Sequence, residues 1–521
     1  MNRIKKMMLF IGILAICVIV FNFSKVTAKH YLNIVENQYS ICDYHKVHKV
    51  FNKYIEYRND NLGYQLSYPS YMELNETLNP IKTIISDNYS QIEIYYDNFK
   101  NTIHSPTAYV NYSNNFINNK EVHIKDYEKN IFINGMKTHL LAWHRAKLAR
   151  VKNDKNYYIS AEIIKNINEV YTIFIKSSKP FTNNKYLQLI NTFKAIDKTD
   201  VKQLNVKFKN TNKKFNKETE QFYEEYFLRS NSLIWGIFEN TAPKSFDFLN
   251  SLEKKLDFKF EFLLKYQCLS SGGFPMAEML NAYNHNRYVE LTLQTSHLDG
   301  QDNNYITYEI LQGDYDEFLN SYAKQVKAFN HPILFRLNNE MNGDWCVYSS
   351  YYSSKDTELY KEVWRYIYNI FKQNKVDNAL WVWNPHDLSF PGFTWNHYLN
   401  YYPGDEFVDL VGITGYNTGT YFEGEVWRDF KQVYVALYKE YHELFEQPFI
   451  ITEFGSNSVG GDKVNWINEM FNNIKQFSNI KVAIWWNGID WDSDKNPGRI
   501  YRLDETAEVI RTFKKGFAQY K

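Results

Sequence analysis

Two carboxylates stand at the ends of apolar runs: Glu340 closes Ile333-Leu334-Phe335-Arg336-Leu337-Asn338-Asn339-Glu340, and Glu453 follows Phe449-Ile450-Ile451-Thr452. A buried carboxylate is costly without partners, so two of them invite a chemical explanation. Each alone is also accounted for by an ion pair with a buried arginine; the pair together is not. The chemistry open to such a pair is cleavage of a glycosidic bond with retention. One ionised carboxylate attacks the anomeric carbon, and a second carboxyl about 5 to 5.5 Å away protonates the leaving oxygen. Glu453 is the candidate nucleophile and Glu340 the candidate acid/base. Strand alternation sends Arg336, Asn338 and Glu340 to one face, which sets a cation beneath the acid/base and within reach of the other carboxylate. Tyr416, in Val411-Gly412-Ile413-Thr414-Gly415-Tyr416-Asn417, is a candidate donor to Glu453. Trp345, just past Glu340, and the pair Trp485-Trp486 offer rigid plates for a sugar ring, with one of the pair pointing inward. Trp381 and Trp383 share one strand face and read as core, while Asn384 after them is a candidate contact for a sugar hydroxyl.

The elements that must position these groups are eight short apolar runs: 233–238, 260–266, 289–293, 333–337, 380–383, 410–414, 449–452 and 482–485. Amphipathic segments such as 315–329, 357–372 and 426–445 separate them, a pattern of parallel strands buried on both faces with helices between. Eight such units over residues 225–521 predict a (β/α)8 TIM barrel, in which reactive groups gather at the C-terminal ends of the strands. Strands four and seven then face each other across the opening. An open doubly wound sheet is the alternative, but no Gly-rich nucleotide fingerprint follows any early strand.

Upstream, residues 29–200 alternate in β fashion, as in Gln91-Ile92-Glu93-Ile94-Tyr95-Tyr96, with helical stretches at 107–117 and 185–193. These predict a smaller α+β domain on an antiparallel sheet. Its order of elements resembles the PsbP-like domains of exported proteins. Residues 201–224 read as a linker, and the barrel is expected to work without the first domain.

With 60 Lys plus Arg against 59 Asp plus Glu, the net charge of +1 gives no field to attract nucleic acid. Aromatics at 18% suit stacking on neutral sugar rings, although the Tyr count also follows from a general bias toward Tyr, Phe, Asn, Lys and Ile. Arg3, Lys5 and Lys6, then an apolar run from Met7 to Phe23 and Val26-Thr27-Ala28, make residues 1–28 a signal peptide or an uncleaved signal anchor. Either places the body outside the cytoplasm, secreted or anchored at the outer face of the membrane. Cys42, Cys268 and Cys346 form neither a disulfide framework nor a zinc site, and a single Cys268–Cys346 bridge stays open. No metal and no cofactor is expected, and the chain is expected to act as a monomer.

Four motifs in order, Arg336-Leu-Asn-Asn-Glu340-Met-Asn-Gly-Asp-Trp345, Tyr402 to Asn417, Ile451-Thr-Glu453-Phe-Gly and Ala483-Ile-Trp485-Trp-Asn487, resemble glycoside hydrolase family 26 of clan A. The resemblance covers about 235–513 and implies a retaining endo-β-1,4-mannanase or β-glucanase on a clan A barrel. It implies Glu340 as acid/base, Glu453 as nucleophile, Tyr416 as the tyrosine on the nucleophile, Arg336 as the supporting arginine and Trp485 as the aromatic floor. The family usually has His before the acid/base; here it is Asn339, as in most other families of the clan. A carboxamide there would meet the 2-hydroxyl that distinguishes mannose from glucose, provided the strand end departs from alternation. The rival reading is a carbohydrate-binding or exopolysaccharide-assembly protein with little turnover on the same barrel.

Overall fold

The computed structural model describes residues 47–51, 53–181, 185–199, 204–298 and 305–521; the expected signal segment and Cys42 lie outside them. Eight parallel strands close into a barrel in sequence order: β1 (Ile234–Phe238), β2 (Phe262–Cys268), β3 (Tyr288–Gln294), β4 (Ile333–Leu337), β5 (Ala379–Trp383), β6 (Leu410–Asn417), β7 (Phe449–Ser456) and β8 (Ile480–Trp486). All eight expected strands are present.

Two cores follow from the two-residue period of the strands. Outward residues such as Phe335, Trp381, Trp383, Ile451 and Trp485 pack beneath the helices. The alternate residues Phe262, Leu264, Leu334, Leu380, Val382, Ile450, Val482 and Ile484 fill the barrel itself. Cys268 and Cys346 are buried and free, so the open disulfide bridge does not form.

The expected linker is largely not one. Phe208 forms a parallel bridge with Phe445, and its N–H donates to Leu444 O at 2.8 Å. The helix Lys217–Tyr223 follows, capped by the Asn216 side chain on Thr219 N at 2.8 Å. Its Phe222, with Phe227 of the next turn, joins the interior cluster against Phe262 and Tyr288, residues at the starts of their strands. The segment is therefore the plug of the barrel's N-terminal end. Its polar composition hides two aromatics at a spacing that places both over the opening.

The first domain is α+β, as expected. A seven-stranded antiparallel sheet is packed on a four-stranded one and on the helix Lys185–Asn191. Ile92, Ile94, Ile173 and Ile175 point into that core. The opposite face, which alternation alone assigns to water, instead meets the barrel: Tyr95, Trp143, Tyr158 and Phe174 cluster with Phe393 and Trp395.

Charges are buried in this contact as pairs. Lys176 Nζ lies 2.8 Å from Asp356 Oδ1 and 3.0 Å from Glu93 Oε1. Lys355 Nζ donates to Glu162 Oε1, Ser160 Oγ and Asn114 Oδ1 at 2.8 to 2.9 Å. Burial alone would raise the Glu162 carboxyl, but Lys355 and His139 bring it down to about 2. Without the first domain Phe393 and Trp395 would lose their cover, and Lys355 and Asp356 their partners. Replacing Lys355 by Ala leaves buried Glu162 with His139 as its remaining ion-pair partner and is expected to cost about 3–5 kcal/mol, read from the urea midpoint of the full chain.

Candidate active site

At the end of β4 the backbone leaves the strand abruptly. Asn338 has φ of 59° and Glu340 φ of 51°, both in the left-handed region. Asn338 turns toward the end of β3, where its Oδ1 accepts from Thr295 N at 2.7 Å and its Nδ2 donates to Thr295 Oγ1 at 3.0 Å. The expected common face of Arg336, Asn338 and Glu340 thus breaks at Asn338. The same twist brings Asn339 to Glu340. Its Nδ2 donates to Glu340 Oε2 at 3.4 Å, while its Oδ1 accepts from Gln294 Nε2 at 2.9 Å and from Tyr348 OH at 3.1 Å.

Glu340 is tethered by its own N–H to Asn384 O at 2.8 Å. Trp345 Nε1 donates to Oε2 at 3.2 Å, and His386 Nε2 stands 3.8 Å from Oε1. Burial pushes the Glu340 carboxyl up to about 7; Glu453 adds to the rise, and His386 and Trp345 oppose it. A carboxylic acid that keeps its proton near neutrality is what general acid catalysis requires.

Glu453 owes its direction to irregular pairing. β7 shifts register against β6 between Ile413 and Thr414 and against β8 between Ile451 and Phe454. Ile451 and Phe454 both face outward, so two successive residues, Thr452 and Glu453, turn inward between them. Glu453 Oε1 accepts from Arg336 Nη1 at 2.8 Å, and its Oε2 accepts from Tyr416 OH at 2.9 Å and Tyr266 OH at 2.5 Å. Three donors on two oxygens suit an ionised carboxylate, which only accepts.

Arg336 is fully buried. It also donates to Thr292 Oγ1 at 2.7 Å and Asn384 Oδ1 at 2.8 Å, and its Nε lies 2.9 Å from Glu290 Oε1. Burial drives the Glu290 carboxyl up to about 8, with Arg336 easing the shift and Glu453 adding to it. A protonated Glu290 leaves the guanidinium charge to Glu453.

Of the residues singled out in the sequence, Glu340, Glu453, Arg336, Asn339, Tyr416 and Trp345 come together at the C-terminal mouth of the barrel. Two do not serve as expected. Asn384 is fully buried between Arg336 and Thr414, bonded to Thr414 Oγ1 at 3.1 Å, and reaches no sugar. Trp485 points out into the helical layer, where its Nε1 donates to Tyr501 O at 2.7 Å and its ring packs on Phe513 and Phe454. The inward plate is Trp486, stacked on Phe238 at 5.3 Å and set beside Tyr416 and Tyr501. Tyr266, Glu290, Gln294 and His386 are additions. A carboxylate in the middle of the apolar run Val289-Glu290-Leu291 was the one visible signal among them.

A closed (β/α)8 barrel with a carboxyl at the end of strand four and an Arg-supported carboxylate on strand seven presents the pair of groups that retaining glycoside hydrolysis requires. Residues 292–483 match the family described as Glycosyl hydrolase family 26. Over this stretch of the barrel the chain is similar to glycoside hydrolase family 26. It is 32% identical over 264 residues to "Endoglucanase H" of Acetivibrio thermocellus, covering 49% of this chain and 28% of that protein. It is 30% identical over 158 residues to a "Mannan endo-1,4-beta-mannosidase" of Bacillus subtilis, covering 29% of this chain and 39% of the relative. The chain thus spans well under two thirds of either. The catalytic domain of a Bacillus sp. JAMB-750 endo-beta-1,4-mannanase superposes with 18% identity and a TM-score of 0.45 over 60% of this chain and 92% of that one.

The raised pKa of Glu340 has a consequence for stability. The unfolded chain releases this proton near the ordinary value of 4.5, whereas the folded protein holds it to about 7, so folding is progressively penalised as pH climbs between the two. Glu340→Gln is therefore expected to melt above wild type at pH 8 and level with it at pH 4, as measured by thermal scans at both values.

Proposed function

We propose that this protein is a retaining endo-β-glycanase that hydrolyses β-1,4-linked polysaccharide of the mannan or glucan type by double displacement. It acts as a monomer outside the cytoplasm, secreted or held at the outer membrane face by its N-terminal segment. The observation that carries the reading is the asymmetry of the carboxyl pair: Glu340 is pushed up to about 7, while Glu453 receives Arg336, Tyr266 and Tyr416.

In the first step Glu453 attacks the anomeric carbon and the glycosidic C–O bond breaks. The leaving oxygen takes the proton of Glu340, and a glycosyl ester forms on Glu453. Esterification removes the Glu453 charge, which is one cause of the high Glu340 pKa, so Glu340 becomes a carboxylate suited to the second step. There it takes a proton from water, whose oxygen displaces Glu453 from the anomeric carbon. Arg336 and Tyr416 hold Glu453 throughout, Trp486 lies beneath the reacting sugar, and Trp345 lies on the leaving-group side. The Asn339 and Gln294 carboxamides at the mouth fit either configuration at the 2-hydroxyl, in keeping with the mannan- and glucan-directed names of the relatives.

The test is release of reducing ends from glucomannan, mixed-linkage glucan and carboxymethyl cellulose. Wild type should release them with retention at the anomeric centre, and kcat/KM should fall as pH rises through about 7, where Glu340 loses its proton. Glu340→Ala should lose about 10²–10⁴-fold on polysaccharide. Glu453→Ala should be inactive, and equal, negligible release by wild type and Glu453→Ala removes the proposal.

A further inference from the structure

The residues that touch the Glu340 carboxyl from the leaving-group side sit on two loops, and the first domain holds both. Asp344 and Trp345 lie on the loop after β4; His386, Phe390 and Phe393 lie on the loop after β5. The loops are joined to each other, with Phe390 N donating to Asn342 O at 2.8 Å and the Trp345 ring packed on Phe390 at 5.3 Å and on His386 at 5.2 Å. Trp345 is 49% exposed, so its own burial does little to fix it.

The first domain grips the loop after β4 at the residue next to Trp345. Tyr112 OH donates to the Asp344 carboxylate, the Tyr112 ring packs on Tyr351 at 4.8 Å, and Asn115 Nδ2 donates to Tyr351 OH at 2.9 Å. It grips the other loop through Phe393, set edge-on to Tyr109 at 4.7 Å, and through Thr394 N, which donates to Asp97 Oδ1 at 2.7 Å. Tyr112 and Asn115 come from the helix Pro106–Ser113 and the turn after it, packed on the barrel-facing side of the sheet.

We propose that the first domain is a positioning element of the acid/base: the Tyr112–Asp344 hydrogen bond sets Trp345, and Trp345 sets the Glu340 carboxyl for proton donation. With Oε2 accepting from Trp345 Nε1 and Asn339 Nδ2, the transferable proton resides on Oε1. Releasing Trp345 frees the carboxyl to rotate about its last bond and to divide the proton between both oxygens. The contact therefore acts on leaving-group protonation and leaves nucleophilic attack by Glu453 untouched. Tyr112 and Asp344 are positioning residues, and the proposal rests on the hydrolase reading above.

The full chain and its Tyr112→Phe and Asp344→Ala variants are compared on a β-1,4-oligosaccharide, whose sugar leaving group needs a proton, and on the matching 2,4-dinitrophenyl β-glycoside, whose phenolate departs without one. Expected is a loss of about tenfold or more in kcat/KM on the oligosaccharide, within the 10²–10⁴-fold that general acid catalysis supplies, with kcat/KM on the aryl glycoside held within twofold of wild type. Asp344→Asn, which keeps an acceptor for the Tyr112 hydroxyl, should recover most of the loss. Variants that match wild type on both substrates, or that lose both in equal proportion with a lowered melting temperature, overturn the positioning role while leaving the hydrolase reading in place. A wild type inert on both substrates removes the hydrolase reading and this inference with it.

Discussion

The site is organised around a guanidinium with no access to water. Arg336 lies inside the barrel at the end of β4, and a charge in that position persists only if its surroundings answer it. Glu453, Glu290, Asn384 and Thr292 do so, which ties β3, β4, β5 and β7 to one side chain. The tie has a direction. Glu290 is driven toward its neutral form by burial, so the charge is spent on Glu453, the carboxylate that also collects two tyrosine hydroxyls. Moving Arg336 would leave the buried Glu453 charge uncompensated and its carboxylate unaimed.

Regular strands could not have brought Glu340 and Glu453 to one opening. A two-residue period sends every second side chain to the helical layer, and the cluster at the barrel mouth needs neighbours that alternation would separate. The barrel solves this with local irregularity: left-handed residues at Asn338 and Glu340, and shifted register around Glu453. Such conformations are retained where the surroundings over-determine them, here through Thr295, Tyr348 and Asn384 O.

The first domain belongs to the same construction. Its sheet offers the barrel aromatic rings interleaved with Glu93, Glu162 and Lys176, and the barrel answers with Lys355 and Asp356 from the loop after β4. Removing one member of a buried pair costs far more than the pair contributes when intact, so these contacts fix orientation as much as they add stability. The loop so anchored is the one that carries Trp345 to Glu340.

Much of this was legible from residue order alone. Eight apolar runs separated by amphipathic segments specify parallel strands and helices, and the strand-end positions of Glu340 and Glu453 follow directly, because period and polarity are local properties of the chain. The outcomes that sequence could not decide all turn on which side of an element a residue finally faces. Trp485 and Trp486 are equivalent candidates until the phase of β8 is known; Asn384 reads as a mouth residue until the Arg336 side chain fills the space beside it. Tyr266, far from either motif in sequence, meets Glu453 only when closure of the barrel brings β2 and β7 to one opening. The polar face of the first sheet reads as solvated until the barrel covers it, since alternation reports that a face is polar and only packing reports what lies against it.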